Sequence, residues 1–328
     1  MRRRDVIKGI AGSAIIWPQA ASAQQVDRMR RIGILFAVSP DPEIESWVAA
    51  FMQALAQSGW TVGRNISVDI RWARGSAAEI RRHAGELATL APDVILAHGA
   101  STVGPLMQAT RTVPIVFPTV SDPVGAGFVE TLARPGGNAT GFMSFEFSLA
   151  GKWLELLKEI APRVTRVGVF RDPTQTTAMG QFAAIQAATS TARMEVVPIN
   201  TRDAAEIERG VNTFAGSPNG GLILAAGPGA LRYPDLIVSL AARHKLPAVY
   251  YERLFVARGG LVAYGVELVD HYRRSAGYVD RILRGEKPAD LPVQAPNTYK
   301  LTINRKAATT LGLTVPPTLL ARADEVIE

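Results

Sequence analysis

Polar side chains that could bind a ligand or do chemistry follow the short apolar segments of this chain. The segment Ile115–Phe117 runs into a loop that carries Ser121 and Asp122. The hydroxyl and the carboxyl could hold an amino group or a hydroxyl of a ligand, or Asp122 could only form an Asx-turn into Pro123. Open α/β sheets build ligand sites at the carboxyl ends of their strands, but an ordinary strand–turn–helix connection would show the same spacing.

A second polar group follows the apolar segment Asp93–Ala97. It begins with His98, and Ser101 and Thr102 come next, where a helix is predicted to start. The backbone N–H groups of that first turn, the two hydroxyls and the positive end of the helix dipole could bind a carboxylate. The alternative is that the hydroxyls only cap the helix. His98 is a further candidate for ligand contact because it lies just past a strand end.

The other candidate ligand-binding residues follow further apolar segments in both halves of the chain. They are Ser39, Arg171, Asp172, Gly227, Tyr250, Glu252 and Tyr264. Arg171 could pair with an anionic ligand or project into water. Aromatic residues gather at the same predicted strand ends, and a largely apolar site with a few polar anchors follows from them. Such a site favours an aromatic or apolar carboxylate, for example an amino acid, over a sugar.

Signals of catalysis are weak in this sequence. No G-x-G-x-x-G, P-loop or G-x-S-x-G motif occurs, and the absence of cysteine excludes disulfides and thiolate chemistry. The four histidines show no metal-ligand spacing, so we expect no metal and no cofactor. An exported hydrolase or isomerase acting on small carboxylates is the alternative function. Asp122, His98 and Ser101 are its only plausible catalytic set.

Apolar segments alternate with amphipathic ones along the whole chain. Arg31–Val38 is a continuous apolar run, which is typical of a strand buried on both faces, and a helix is predicted over Ala77–Leu90. The alternation begins again at Trp153–Ile160, an amphipathic helix. Repeated βα units predict parallel sheets with right-handed crossovers, and 328 residues suit two domains of about 150 residues each. The predicted fold class is therefore α/β, with two Rossmann-like lobes.

The first 23 residues are predicted to be an export signal. A basic start with three consecutive arginines, a short apolar run and the small residues Ala21–Ala23 occur in the expected order. The signal carries Arg2, Arg3, Arg4 and Lys8 less Asp5, or +3, so the net charge of +7 falls to 7 − 3 = +4 beyond it. No basic tract is interleaved with aromatic residues, so we expect no nucleic-acid partner.

Three blocks of this sequence resemble an ABC-transporter substrate-binding protein family that includes tryptophan-binding proteins. The first block is VFPTVSDPVGAGFVETLARPGGNATGF, and the second is Gly259–Gly265 with the helix that follows it. The third contains Ala289–Gln294 and then Leu311–Pro316. Together they cover nearly the whole chain in the family's order. Arg171 departs from the family, in which an asparagine-like residue is expected before the proline.

The resemblance implies a type I periplasmic-binding-protein-like fold with a three-crossing hinge. We place the crossings near Ser144–Phe147, Val262–Gly265 and Leu291–Pro296. Lobe one would then comprise residues 24–145 and 264–291, and lobe two residues 146–263 and 292–328. The implied function is capture of a small ligand in the periplasm by a monomer and its delivery to an inner-membrane ABC permease. A ligand-sensing transcriptional regulator shares this architecture, but the N-terminus lacks a helix-turn-helix of suitable length.

Overall fold

The computed structural model describes residues 28–144, 149–173, 176–191, 194–225 and 230–328 of the chain. The predicted export signal and Gly227 lie outside these residues. The described residues form two mostly parallel sheets covered by helices, and the predicted α/β class is confirmed.

The first sheet is built from the N-terminal part of the chain and has five parallel strands in the order β2-β1-β3-β4-β5. The strands are β1 (Arg30–Phe36), β2 (Ile66–Trp72), β3 (Val94–Ala97), β4 (Ile115–Val120) and β5 (Ala139–Met143). Its helices are α1 (Pro42–Gln57), α2 (Ala77–Leu90), α3 (Ala100–Ala109) and α9 (Leu268–Leu283), which returns from the C-terminal part to pack against α1 and β4. We call this unit lobe one.

The second sheet has seven strands in the order β12-β11-β10-β9-β8-β6-β7, and only the pair β10–β11 is antiparallel. The strands are β6 (Arg166–Arg171), β7 (Glu195–Asn200), β8 (Gly220–Leu224), β9 (Ala248–Tyr250), β10 (Val262–Gly265), β11 (Lys300–Asn304) and β12 (Glu325–Ile327). Its helices are α4 (Leu149–Ile160), α5 (Thr176–Thr191), α6 (Ala204–Ala215), α7 (Pro234–Arg243), α8 (Arg253–Ala257), α10 (Arg305–Thr310) and α11 (Pro317–Arg322). We call this unit lobe two.

Strand β1 and helix α1 show how the sequence determines lobe one. β1 lies between β2 and β3, and its side chains from Ile32 onward are buried, as its continuous apolar run predicts. Helix α1 begins after Asp41, whose carboxylate accepts the N–H of Glu43 at 2.9 Å. The inward face of α1 buries Trp47 and the apolar residues at helical spacing from it, so the predicted helix is confirmed.

The chain passes between the two lobes at three places. β5 is followed by α4 of lobe two, and β10 is followed by α9 of lobe one. The third passage runs from Gln294 to β11. Gln294 lies beside β5, where it pairs with Phe142. One buried apolar cluster contains residues of both lobes, among them Phe36 and Tyr250, so the lobes are in contact. The residue bounds given above for the lobes stay a prediction.

One local element differs from the sequence-based expectation. The sequence pattern predicts a short helical turn from the residues after Gly127 to Leu132, but the structure has turns and bends there and no helix between β4 and β5. The reason is local. The Asp122 carboxylate accepts the N–H of Gly125 in the preceding turn, and Gly127 has a φ of +70°, which a helix does not allow.

Candidate ligand-binding cleft

The carboxyl ends of strands from the two lobes meet across a cleft. Helix α1 follows β1, and helix α8 follows β9, so the starts of both helices lie at strand ends. Arg253 of α8 pairs with Glu43 of α1, with 3.1 Å between Nη1 and Oε2. Arg258, just after α8, forms an ion pair with Asp41 at the start of α1. These contacts bring the ends of β1 and β9 together, where ligand sites form in sheets of this kind.

Aromatic rings pack together at the cleft side of lobe one. Phe36 stacks on Trp72 with 4.4 Å between ring centroids, and His98 lies 5.5 Å from Phe36 and from Trp47. Nδ1 of His98 is 2.7 Å from the hydroxyl of Tyr272 on α9. We call these five residues the aromatic cluster. Phe36, Trp47 and Tyr272 are at most 1% exposed, so most of this cluster is core, and the largely apolar site that the sequence predicts stays a prediction.

His98 is held inside the aromatic cluster. Only 5% of its surface is exposed, and burial lowers the pKa of its imidazole to about 4. His98 is therefore neutral at pH 7, and it is hydrogen-bonded to Tyr272 rather than to an acid. The Asp122 carboxylate instead accepts the N–H of Gly125 at 2.8 Å, so neither residue of the suggested catalytic set positions the other.

The start of α3 is not capped by Ser101 or Thr102, which was the alternative to their binding a ligand. The N-cap is Gly99, with a φ of +80° and no side-chain hydrogen bond to the helix, so Ser101 lies in the first turn. Thr102 is fully buried, and its hydroxyl donates to the carbonyl oxygens of His98 and Gly99 at 3.0 Å each. The alternative role of these hydroxyls as helix caps is thus wrong, and their binding of a carboxylate stays a prediction. No side chain caps this helix start at the end of β3.

Ser121 and Asp122 take different roles at the end of β4. The hydroxyl of Ser121 lies 3.2 Å from that of Ser144, which ties the ends of β4 and β5 together. Asp122 forms the turn that the sequence offered as its alternative role. Ser39, at the end of β1, is exposed and lines a cavity of about 300 Å³ with side chains of both lobes, including Arg74 and Arg258.

Arg171 ends β6 of lobe two, and Asp172 follows it. The Arg171 guanidinium lies over the ring of Phe182, 4.6 Å from its centroid, and its buried Nε has no hydrogen-bond partner within the described residues. Asp172 is buried. Gln181 on α5 is also buried, and both of its side-chain polar atoms are unpaired within the same described ranges. Arg171 and Gln181 therefore carry buried polar atoms that are unpaired within the described residues.

Glu252, just after β9, is a buried acid. Its surface is 5% exposed, and Oε1 has no hydrogen-bond partner among the described residues. Burial, with a smaller effect from the charges of Glu43 and Asp41, raises the pKa of this carboxyl to about 8. Glu252 lines a cavity of about 490 Å³ whose walls come from both lobes, with Trp47 on the side of lobe one.

Tyr250 and Tyr264 lie away from that cavity. Tyr250 stacks on Phe255, with 5.2 Å between centroids, and lines a separate cavity of about 210 Å³ beside α7 and α10. Tyr264 packs beside Tyr299, with 5.7 Å between centroids, and its carbonyl accepts the indole N–H of Trp153 at 2.8 Å. Because alternate residues of a strand face opposite sides, the neighbours of Tyr264 line the cavity and its own side chain does not. That Tyr250 and Tyr264 contact the ligand stays a prediction.

Of the five residues in the aromatic cluster, only His98 was predicted from the sequence as a ligand-binding candidate. Trp72 ends β2, so the strand-end pattern could have identified it. Tyr272 lies inside α9 and is brought to His98 only by the packing of a distant helix, which no local pattern shows. Among the described residues, no cluster of side chains suits a metal ion, and no helix is long and apolar enough to span a membrane.

Relatives of known description align with most of the chain. It is 24% identical over 292 residues to the tyrosine-binding protein of Clostridioides difficile (strain R20291), covering 87% of this chain and 82% of that protein. The ABC domain in complex with L-Trp from Streptococcus pneumonia is 25% identical, with a TM-score of 0.84 over 91% of this chain and 100% of that one. A ligand-free, open substrate binding protein with adhesive properties from Clostridium difficile, also 25% identical, has a TM-score of 0.67 over 91% of this chain and 99% of that one.

The structural comparisons confirm the predicted two-lobe binding-protein fold. The sequence model of ABC transporter substrate binding proteins matches residues 31–327, which is nearly the entire chain. This chain belongs to the family of ABC transporter substrate binding proteins.

Proposed function

We propose that this protein captures an aromatic α-amino acid between its two lobes and delivers it to an ABC permease in the inner membrane. One observation carries the choice of ligand. Trp47 of the aromatic cluster lines the same cavity as Glu252, whose carboxyl is buried and incompletely paired among the described residues. An aromatic side chain matches the rings, and an ammonium group matches the carboxyl.

The relatives support the same ligand class. One is described as a tyrosine-binding protein, and another was solved in complex with L-Trp. Family membership supports a role in transport and a binding protein rather than an enzyme. The basic, apolar and small-residue segments of residues 1–23 support export, so the working form is a periplasmic monomer that starts near Gln24.

A thermal-shift panel tests the proposed ligand class. Protein stripped of bound ligand by unfolding and refolding is mixed with L-tryptophan, L-tyrosine, L-phenylalanine, L-leucine, succinate and arabinose. At about a hundredfold excess over Kd, a true ligand adds about 2.7 kcal/mol to the free energy of unfolding. We expect the largest rise in melting temperature with an aromatic amino acid. Stabilisation by arabinose or succinate alone would contradict the proposal, as would turnover of the ligand.

A further inference from the structure

Lobe two contains a cavity of about 210 Å³ beside helices α7 and α10. Every lining residue belongs to lobe two, and none of them lines the cavities that contain Ser39 or Glu252. Protein interiors leave few voids larger than a water molecule, and an apolar cavity of about 150 Å³ already holds a molecule as large as benzene. This cavity is therefore large enough for a small organic ligand that does not enter the cleft.

The floor of the cavity is apolar and buried. Ala248 and Tyr250 are alternate residues of β9, so they face the same side of the sheet. Ala241 of α7 and Leu246 after it complete this floor. All four residues are at most 5% exposed. The Tyr250 phenol stays uncharged, because burial raises its pKa above the ordinary value. The floor therefore suits a hydrocarbon group.

The mouth of the cavity carries a positive charge. Ala242, Lys306 and Thr310 line the cavity and are exposed, so they mark its opening to solvent. The Thr310 hydroxyl donates to the backbone carbonyl of Lys306 at 2.9 Å. The Lys306 ammonium has no hydrogen-bond or ion-pair partner among the described residues, and none of the described lining residues is an acid. An apolar floor below a free cation is complementary to an anion with an apolar tail.

A neighbouring cavity of about 520 Å³ is basic as well. Leu246 lines both cavities, and the second one also contains the side chains of Arg163 and Lys245. No acid lines it within the part of the chain that the structure describes. The charges on this side of lobe two therefore attract an anionic group.

We propose that lobe two binds a small amphiphilic carboxylate, of the size of a medium-chain fatty acid, in the cavity beside α7 and α10. The hydrocarbon chain packs on the apolar floor, and the carboxylate accepts a charge-assisted hydrogen bond from the ammonium of Lys306. The volume sets the size of the ligand, because sites for drug-sized molecules begin at about 300 Å³ and a diacyl lipid is larger still. This site is separate from the cleft and does not depend on the proposed function.

Titration calorimetry with octanoate tests this site on the mature chain in the presence of excess L-tryptophan. We expect one octanoate to bind, at least about tenfold more tightly than butyrate, because each buried CH₂ group strengthens binding about fourfold. Octylamine, which has the same chain and the opposite charge, should bind at least about threefold more weakly than octanoate. Absence of octanoate binding would overturn the proposal. Octanoate binding that L-tryptophan abolishes would place it in the cleft and would overturn the proposal too.

Three variants locate the bound octanoate. Ala307→Trp fills the cavity from a half-buried position on α10 and should remove octanoate binding. Lys306→Glu reverses the charge at the mouth, so octylamine should bind more tightly than octanoate. Arg305→Gln is the matched control, because Arg305 pairs with Glu328 and does not line the cavity. It should keep the affinities of the wild type.

Two results with these variants would contradict the proposal. Octanoate binding retained in Ala307→Trp would place the ligand elsewhere. An unchanged preference for octanoate in Lys306→Glu, or an equal loss of affinity in Arg305→Gln, would show that Lys306 does not hold the carboxylate. Should Ala307→Trp fail to fold, the preference of Lys306→Glu decides alone, since its exposed position on α10 tolerates the change.

Discussion

At the scale of single residues, His98 and Glu252 show how burial controls the charge of this cleft. Both side chains are about 5% exposed at strand ends, and burial favours the uncharged form of each. For the histidine this lowers the pKa, and for the carboxyl it raises the pKa. The two groups therefore change the free energy of unfolding in opposite directions as the pH rises.

Acid should destabilise the protein in part through His98. Its pKa is about 4 in the folded state against 6.5 when exposed, so the unfolded chain binds more protons between these values. The stabilisation is complete above about pH 6.5 and is lost as the pH falls toward 4. Between pH 7 and 4.5 the loss from this residue is about 2–3 kcal/mol. Urea unfolding of the wild type and of His98→Gln at both pH values measures it.

His244 provides the control for that measurement. It is only half-buried, and its Nε2 lies 2.8 Å from Asn212 on α6. His244→Gln should keep the acid sensitivity of the wild type, whereas His98→Gln should lose part of it. Equal acid sensitivity in all three proteins would show that His98 is not held neutral by the fold.

Only those candidate site residues that directly follow a strand could be predicted from the sequence. Glu252 and His98 follow apolar segments; Glu252 lines a cavity between the lobes, and His98 packs inside the aromatic cluster of lobe one. The partner of His98 could not be predicted, because Tyr272 is 174 residues away and its contact depends on how α9 packs. The sequence also could not show which face of β10 the Tyr264 side chain occupies, because a shift of one residue along a strand moves its side chains to the opposite face.

At the scale of elements, the lobes are connected by ion pairs between helices α1 and α8. Arg253 in α8 and Arg258 just after it pair with acids at the start of α1. Arg258 forms ion pairs with Asp41 of lobe one and with Asp235 of lobe two, the latter at 2.6 Å. These side chains lie at the cleft, so the pairing with Asp41 exists only when the lobes approach each other. We infer that Arg258 favours the closed arrangement.

Removal of this pairing should weaken ligand binding without unfolding either lobe. Partly exposed ion pairs contribute at most about 1 kcal/mol, so Arg258→Ala should lower affinity by no more than about fivefold. The melting temperature of the ligand-free protein should barely change. Calorimetry and a thermal scan measure the two quantities.

Arg305→Ala is the matched control, because Arg305 pairs with Glu328 within lobe two and both side chains are exposed. It should leave affinity unchanged. If Arg258→Ala bound the ligand as tightly as this control, the cross-lobe pairing would have no part in closure.

Helices and strands with strong periodicity could be predicted closely, and short ones could not. Helix α2 has the predicted bounds Ala77–Leu90, because its apolar residues recur at helical spacing after the Ser76 cap. Strand β12 and helices α8 and α11 have three to six residues and escaped prediction. Segments this short carry too few residues to show a period, and tertiary contacts decide their structure.

At the scale of the whole molecule, alternation of strands and helices predicted two lobes, and the family resemblance predicted how they connect. The arrangement of the lobes is the part that sequence does not contain. At 25% identity to each, the TM-score is 0.84 with the tryptophan complex and 0.67 with the ligand-free, open structure. The structure as a whole is thus more similar to the tryptophan complex than to the open structure. A ligand can stabilise such an arrangement only through contacts that the open form lacks.

Small-angle X-ray scattering of the ligand-stripped mature chain, titrated with L-tryptophan, tests capture between the lobes most directly. The account predicts that the radius of gyration falls as ligand is added and levels off at the concentration that saturates the thermal shift, while arabinose causes no change. A thermal shift that saturates with an unchanged radius of gyration would show that the ligand binds without closing the lobes, and would contradict the account.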